Sequence, residues 1–233
     1  MPNWNPIKIP SNPAVGWSAQ VRVLFATSET VPNVIQAPFA TPAQVARRNA
    51  LVGQFNGARM DTNNPVYFWK PEGDVGFLGQ WWPSSFEWEH DGERYTYANA
   101  EQYMMHRKAL LFAGPNHPIA QEIQKGWKLH PRVLRDLGRK IPNFAQEVWE
   151  QHRFEIVAEG SYLKFSQNKG LKQNLLATGN QELVEASPRD RIWGVGFGAK
   201  NASDNRSRWG LNLLGKALME ARSRLLKEEA GEK

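Results

Sequence analysis

The chain has 233 residues, 41% of them hydrophobic, and a formal charge of +6. That apolar content suffices for a sizeable core and excludes a disordered polymer. The absence of cysteine excludes a disulfide framework, thiolate metal sites, iron–sulfur clusters and a cysteine nucleophile. Lys and Arg are scattered among acidic residues, a balance that suits an anionic ligand better than a surface dedicated to coating DNA. Most of the ten Trp, roughly two in three, are expected in the core.

Residues 1–64 are rich in proline and carry no basic-then-apolar leader pattern. Val21–Phe25 reads as a short strand and Pro42–Leu51 as a short helix, in an extension expected to pack on a core. No apolar run approaches the roughly 20 residues needed to cross a bilayer, so cytoplasmic or nuclear residence is expected. From Pro65 the text changes. Val66–Trp69, Phe86–His90 and Arg94–Tyr97 read as strands, and Asp91-Gly92 between the last two predicts a hairpin.

Helices follow. Asn99-x-x-Gln102 forms a capping box that opens a helix to about Phe112, stopped at Gly114-Pro115. Ile119, Ile123 and Trp127 mark the next helix. Pro131 starts a third, with Gly138 as its left-handed stop. Asn143-x-x-Gln146 reads as another capping box, leading into a long helix with Phe144, Val148, His152 and Ile156 on one face. Leu171–Ala177 is a short helix ended by Gly179, and Glu182–Ala186 a strand. A final helix runs from about Asn212. The expected fold is α+β and mainly helical: one compact domain over residues 65–227 with a small antiparallel sheet, then a polar tail at 228–233.

The histidines (His90, His106, His117, His130 and His152) show no metal-ligand spacing, and no G-x-S-x-G elbow occurs. The run Gly194-Val-Gly196-Phe-Gly198 is either a tight turn or a loop whose amides approach a phosphate. On the helix that Asn99 caps, Glu101 lies in the first turn, where the backbone dipole favours its ionised form. Lys108 is seven residues on and emerges from nearly the same face, about 10 Å away at ~1.5 Å per residue. A carboxylate and an amine facing one pocket can stabilise an oxocarbenium ion, activate water or form a covalent adduct at a sugar carbon. The bland alternative is an exposed pair on a solvated face.

Phe77-Leu-Gly-Gln-Trp-Trp-Pro-Ser-Ser-Phe86, then Ala100-Glu101-Gln-Tyr with Lys108-Ala109, resembles the opening of the YbiA-like, or NADAR, family. So do Leu137-Gly138-Arg139, Val148-Trp149, Lys164-Phe165-Ser-Gln-Asn168, Leu175-Leu-Ala-Thr178-Gly179, the block from Leu183 to Gly196, and the block from Gly210 to Met219. They occur in family order over some two-thirds of the chain. Two departures stand out: the family often has Ser-Asn-Phe in place of Gly79-Gln80-Trp81, and His in place of Gln102.

The resemblance implies a compact, largely helical N-glycosidase needing no metal and no cofactor. It implies a substrate such as ADP-ribose on guanine, free or in DNA; a phosphoribosylamino-pyrimidine of riboflavin synthesis is the alternative. A non-catalytic binder of ADP-ribose or NAD derivatives is the reading from another class. Carried onto this chain, the catalytic residues are Glu101, Lys108 and Asp190. Asp190 serves as a second acid or water-positioning group, or else as a cap or ion-pair partner. The base side is assigned to Gly79, Gln80, Trp81, Trp82 and Trp193. Phosphate contacts fall to Arg139, Lys164 and the Gly194–Gly198 loop, Gly194 and Gly196 foremost, with Arg139 alternatively a helix-end cation. Asn212 completes the substrate-binding set.

Overall fold

The computed structural model describes residues 64–231. The strand expected at Val21–Phe25 and the helix at Pro42–Leu51 lie outside the described residues. Within them the chain runs β1 (Val66–Phe68), a 3-10 turn (Gly76–Leu78), β2 (Phe86–His90), β3 (Glu93–Tyr97), α1 (Ala100–Ala113), α2 (Pro118–Gln124), α3 (Pro131–Gly138), α4 (Gln146–Ser166), α5 (Lys169–Ala177), β4 (Leu183–Glu185), α6 (Ala199–Ala202), a second 3-10 segment (Ser203–Arg208) and α7 (Leu213–Ala230). The result is α+β and mainly helical.

The hairpin forms where its turn chemistry puts it. Asp91 and Gly92 both take positive φ, 52° and 80°, as a two-residue primed turn requires. Phe86 pairs with Tyr97 and Trp88 with Tyr95, so one face of the ribbon is aromatic and packs on α1. Asn99 caps α1: its Oδ1 accepts from Gln102 N at 2.9 Å. Gln102 returns its own Oε1 to Ala98 N at 2.8 Å and donates to the Ile123 and Gln124 carbonyls that end α2. One amide thus closes two helix ends. Every residue from Ala100 to His106 is buried, which marks α1 as the central helix. His106 serves this core as a polar partner. Its Nδ1 meets the Tyr97 hydroxyl at 2.8 Å, and burial pushes its pKa down to about 4.

Two local signals resolve differently. Asn143 sits at φ 56°, and α4 begins three residues later with Ala145 at the cap and no side-chain cap bond. The second capping box does not form, and Phe144 lies exposed outside the helix. Gly138 belongs to α3, whose C-cap is Arg139 in an ordinary right-handed conformation. Glycine is needed there for closeness, since a Cβ would run into Met105 Sδ. Among the described Trp, Trp88 and Trp149 are buried in the core, Trp82, Trp193 and Trp209 pack half-buried against it, Trp81 is half-buried, and Trp69 and Trp127 are exposed. α7 continues through residues 228–230, which the sequence suggested as tail, and closes on Gly231 at φ 73°.

Besides the hairpin, β1 and β4 make a parallel pair with Phe68 opposite Glu185. The segment after β4 folds back across the start of α7. Ile192 and Trp193 carbonyls accept from Leu213 N and Leu214 N at 3.1 Å each, so helix N–H groups that would otherwise be orphaned are satisfied by a loop. Asn212, left-handed at φ 49°, bonds β4 on both sides: Oδ1 accepts from Glu185 N at 3.0 Å and Nδ2 donates to Leu183 O at 2.9 Å.

Candidate active site

Glu101 is 4% exposed. The Asn99 cap places it in the first turn of α1, where its backbone N–H donates to Gln80 O at 3.2 Å. Its Oε2 accepts from Trp81 Nε1, also at 3.2 Å. The Arg135 guanidinium of α3 stands 5.8 Å from the same indole, and the His130 ring meets it edge-on at 5.7 Å. Burial lifts the Glu101 pKa to about 7; the Trp81 N–H and Arg135 pull the other way, and the Asp190 charge adds to the rise. That rise is roughly 3 kcal/mol at 1.36 kcal/mol per unit. A helix dipole offers about 0.3–1 kcal/mol, so desolvation decides the protonation state.

Asp190 follows β4 in a turn that its own side chain builds: Oδ1 accepts from Ile192 N and Trp193 N, each at 2.8 Å. Asp190 thus ties the backbone of a turn rather than capping a helix, while its charge still reaches Glu101. A third carboxyl, Glu185, joins them from the end of β4. Burial lifts its pKa to about 8, and Asp190 and then Glu101 add to the rise. Glu185 and Arg135 had no role in the sequence reading. The available signal for Glu185 was a charged residue in a short strand between Val184 and Ala186.

The loop carrying Gly79, Gln80 and Trp81 is clamped from below. Lys164 is 1% exposed, and its Nζ donates to Phe77 O at 2.7 Å and Gly79 O at 2.9 Å. Burial depresses its pKa to about 7. The amine expected at a phosphate is thus a loop anchor two steps from Glu101: Lys164 holds Gly79, and the same loop presents Trp81. Lys164→Met is expected to remove the two hydrogen bonds that the amine gives Phe77 O and Gly79 O and cost about 1–3 kcal/mol. Urea midpoints would show that loss, and turnover should fall with it as Trp81 loosens; unchanged values for both would remove the anchor role.

Lys108 and Glu101 both meet α3, but no ion pair joins them. The Lys108 amine donates to Gly138 O at 2.9 Å and stands 4.2 Å from the Phe144 ring. Burial, then Arg139, depresses its pKa. Arg139 itself is exposed and pairs with Asp136 at 3.0 Å, the helix-end arrangement. Trp82 packs on the core with its indole N–H enclosed and without a hydrogen-bond partner. Trp193 gives its backbone N–H to Asp190 and its carbonyl to α7. Gly194 rests against the Glu185 carbonyl, 2.7 Å from where a Cβ would sit, and Gly196 turns at φ 80° beside Arg191. Asn212 is tied to β4 rather than to the carboxyl cluster.

No group of three or more His, Asp or Glu among the described residues is spaced to hold a metal ion. A cleft of about 510 Å³ opens between β2, α1, α4 and α7, lined by Trp88, Arg107, Glu155, Glu159 and Arg224 among others. It contains none of the three interacting carboxyls. Around Glu101, by contrast, acids with raised pKa, an oriented indole and a buried loop anchor converge, the pattern of a candidate site. Among the described residues no helix is long and apolar enough to cross a membrane.

The NADAR domain model matches residues 67–226. N-glycosidase R617 of Acanthamoeba polyphaga mimivirus is 44% identical over 170 residues, covering 70% of this chain and 97% of that protein. A maize protein named riboflavin biosynthesis protein PYRR, chloroplastic, is 31% identical over 170 residues, covering 70% of this chain and 25% of that one. The NMR structure of Escherichia coli YbiA superposes with a TM-score of 0.56 at 25% identity, covering 73% of this chain and 90% of that one. The matched region spans the carboxyl cluster, the indole that orients it and the lysine-held loop, and the chain belongs to the NADAR domain family.

Proposed function

We propose that this chain is an N-glycosidase that hydrolyses the bond between a ribose C1′ and a guanine-type base, removing ADP-ribose from guanine in nucleic acid. The observation that carries the reading is Glu101, a buried carboxyl oriented by Trp81 and flanked by Asp190 and Arg135. Relatives named N-glycosidases align over this region. As the C1′–N bond loosens, the sugar gains positive charge, and a desolvated carboxylate stabilises that charge more than it would in water. A non-catalytic reader of ADP-ribose has no need of a buried, charge-coupled acid. The formal charge of +6 suits a polyanionic substrate.

Asp190 acts here through its charge and through the turn it holds. Lys108 is the second candidate group: burial and Arg139 lower its pKa, and an amine that gives up its proton and leaves Gly138 O would attack C1′. Where the amine stays bonded to Gly138, water is the nucleophile.

The relatives named for riboflavin biosynthesis make a phosphoribosylamino-pyrimidine the second substrate to test. Side-by-side assays are expected to give a kcat/KM at least about tenfold higher on an ADP-ribosylated guanine oligonucleotide, a gap of roughly 1.4 kcal/mol in transition-state binding. Preference for the pyrimidine would overturn the substrate assignment. Quenching the same reactions with borohydride reads the Lys108 route: a sugar adduct on Lys108 supports attack by the amine, and its absence assigns the step to water.

A further inference from the structure

Cleavage of a C1′–N bond needs a proton as well as a stabilised cation, because a departing base or amine is a poor anion. The residues assigned so far do not supply one. Asp190 has Oδ1 occupied by two backbone N–H groups, and Glu101 is wanted as the anion. Glu185 is placed differently. It ends β4 with both backbone groups fixed: its N–H donates to Asn212 Oδ1 at 3.0 Å, and its carbonyl accepts from Val195 N, also at 3.0 Å. Opposite it in the parallel pair is Phe68. Its Oε2 is shut off from solvent and has no hydrogen-bond partner. An enclosed, unpartnered carboxyl oxygen on a rigid strand costs stability unless it is neutral or meets a ligand.

We propose that Glu185 is the general acid of this reaction, delivering its proton to the base nitrogen as the C1′–N bond breaks. The assignment rests on the N-glycosidase reading above. The electron pair of the C1′–N bond passes to nitrogen, and the Glu185 proton goes with it, so the base leaves neutral. Water then adds to C1′ and gives a proton to the Glu101 carboxylate. Proton exchange with solvent restores both groups, and one water is consumed per bond cleaved.

The environments divide the roles in the same direction. Among the described residues two groups face Glu185 electrostatically, Asp190 from the turn after β4 and Glu101 from α1; both are acidic, and no described cation opposes them. Glu101, by contrast, has the Trp81 N–H and Arg135 favouring its anion. Of two interacting carboxyls, the one denied donors and cations keeps the proton, and the one supplied with them ionises first. The pair titrates as a unit, so its two macroscopic steps are what kinetics will read.

The test compares wild type, Glu185→Gln and Glu185→Asp on the ADP-ribosylated guanine oligonucleotide and on the phosphoribosylamino-pyrimidine across pH, together with ADP-ribose affinity. Glu185→Gln is expected to lower kcat by at least about 10²-fold while ADP-ribose affinity stays within about threefold. The wild-type fall in kcat above about pH 8 should vanish in the Gln variant. Glu185→Asp, which keeps an acid, should retain that limb at reduced rate. A Gln variant within about threefold of wild type in kcat, with its alkaline limb intact, overturns the proposal. Parallel losses of kcat and ADP-ribose affinity in both variants would make Glu185 a structural residue and overturn it too. Failure of the wild type itself to release base from either substrate defeats the N-glycosidase reading, and the acid assignment with it.

Discussion

Glu101→Gln is expected to cut turnover by about 10²–10⁴-fold while leaving ADP-ribose affinity within a few-fold of wild type. The amide keeps an oxygen for the Trp81 N–H, which lies 3.2 Å from Oε2, so the loop and indole keep their places. What is lost is the charge. The same substitution should raise thermal stability above neutral pH. The folded carboxyl has its pKa raised from 4.5 to about 7, so the folded state binds the extra proton across that window. That contribution to stability is complete below about 4.5 and is lost as pH rises through about 7. Glutamine carries no such penalty. Activity and stability thus move in opposite directions, the pattern of a group retained for chemistry. In the wild type, kcat should climb as pH rises toward about 7, as the carboxylate form appears. A Gln variant with wild-type kcat, or one that loses activity and stability together, would remove Glu101 from the chemistry.

Features set by near neighbours in sequence were legible, and features set by distant packing were not. The Asp91-Gly92 turn and the Asn99 cap need only a few residues to specify them, and both form as the local chemistry dictates. The pairing of β1 with β4 is invisible locally, since each strand has three residues and the helices from α1 to α5 intervene. Burial was the larger gap. Lys164 looks like any surface lysine on a helix, yet it is enclosed and anchors the loop that presents Trp81. Asn212 sits in a glycine-bracketed motif that invites a ligand role, but a left-handed backbone turns both its polar atoms toward β4. Glu101 was singled out through its motif; Glu185 was passed over because a lone acid in a short strand reveals its neighbours only after folding.

Gly215→Ala is expected to destabilise the protein by about 1–2 kcal/mol, or more if backbone must move, against the usual direction of that change. Within a helix, Ala normally gains about 0.5–1 kcal/mol over Gly through reduced unfolded-state freedom. At position 215 an added Cβ would run into the Leu183 carbonyl oxygen and lie 2.6 Å from both polar atoms of the Asn212 side chain. Neither can retreat cheaply. The Leu183 carbonyl accepts from Asn212 Nδ2, and Asn212 Oδ1 in turn holds the Glu185 N–H, so displacement breaks bonds on both sides of β4. Overpacking of this kind costs about 1–3 kcal/mol, more when backbone must move. The control is Gly170→Ala, on a helix where nothing stands within 4 Å of an added Cβ; it should stabilise by about 0.5–1 kcal/mol. Urea midpoints shifting in opposite directions at the two sites would show that α7 seats directly on β4. Because β4 carries Glu185, residual folded Gly215→Ala protein should also turn over more slowly than its folded fraction accounts for. If position 215 tolerates Ala as well as position 170 does, α7 does not hold Glu185 in place, and the rigid support for the acid is lost.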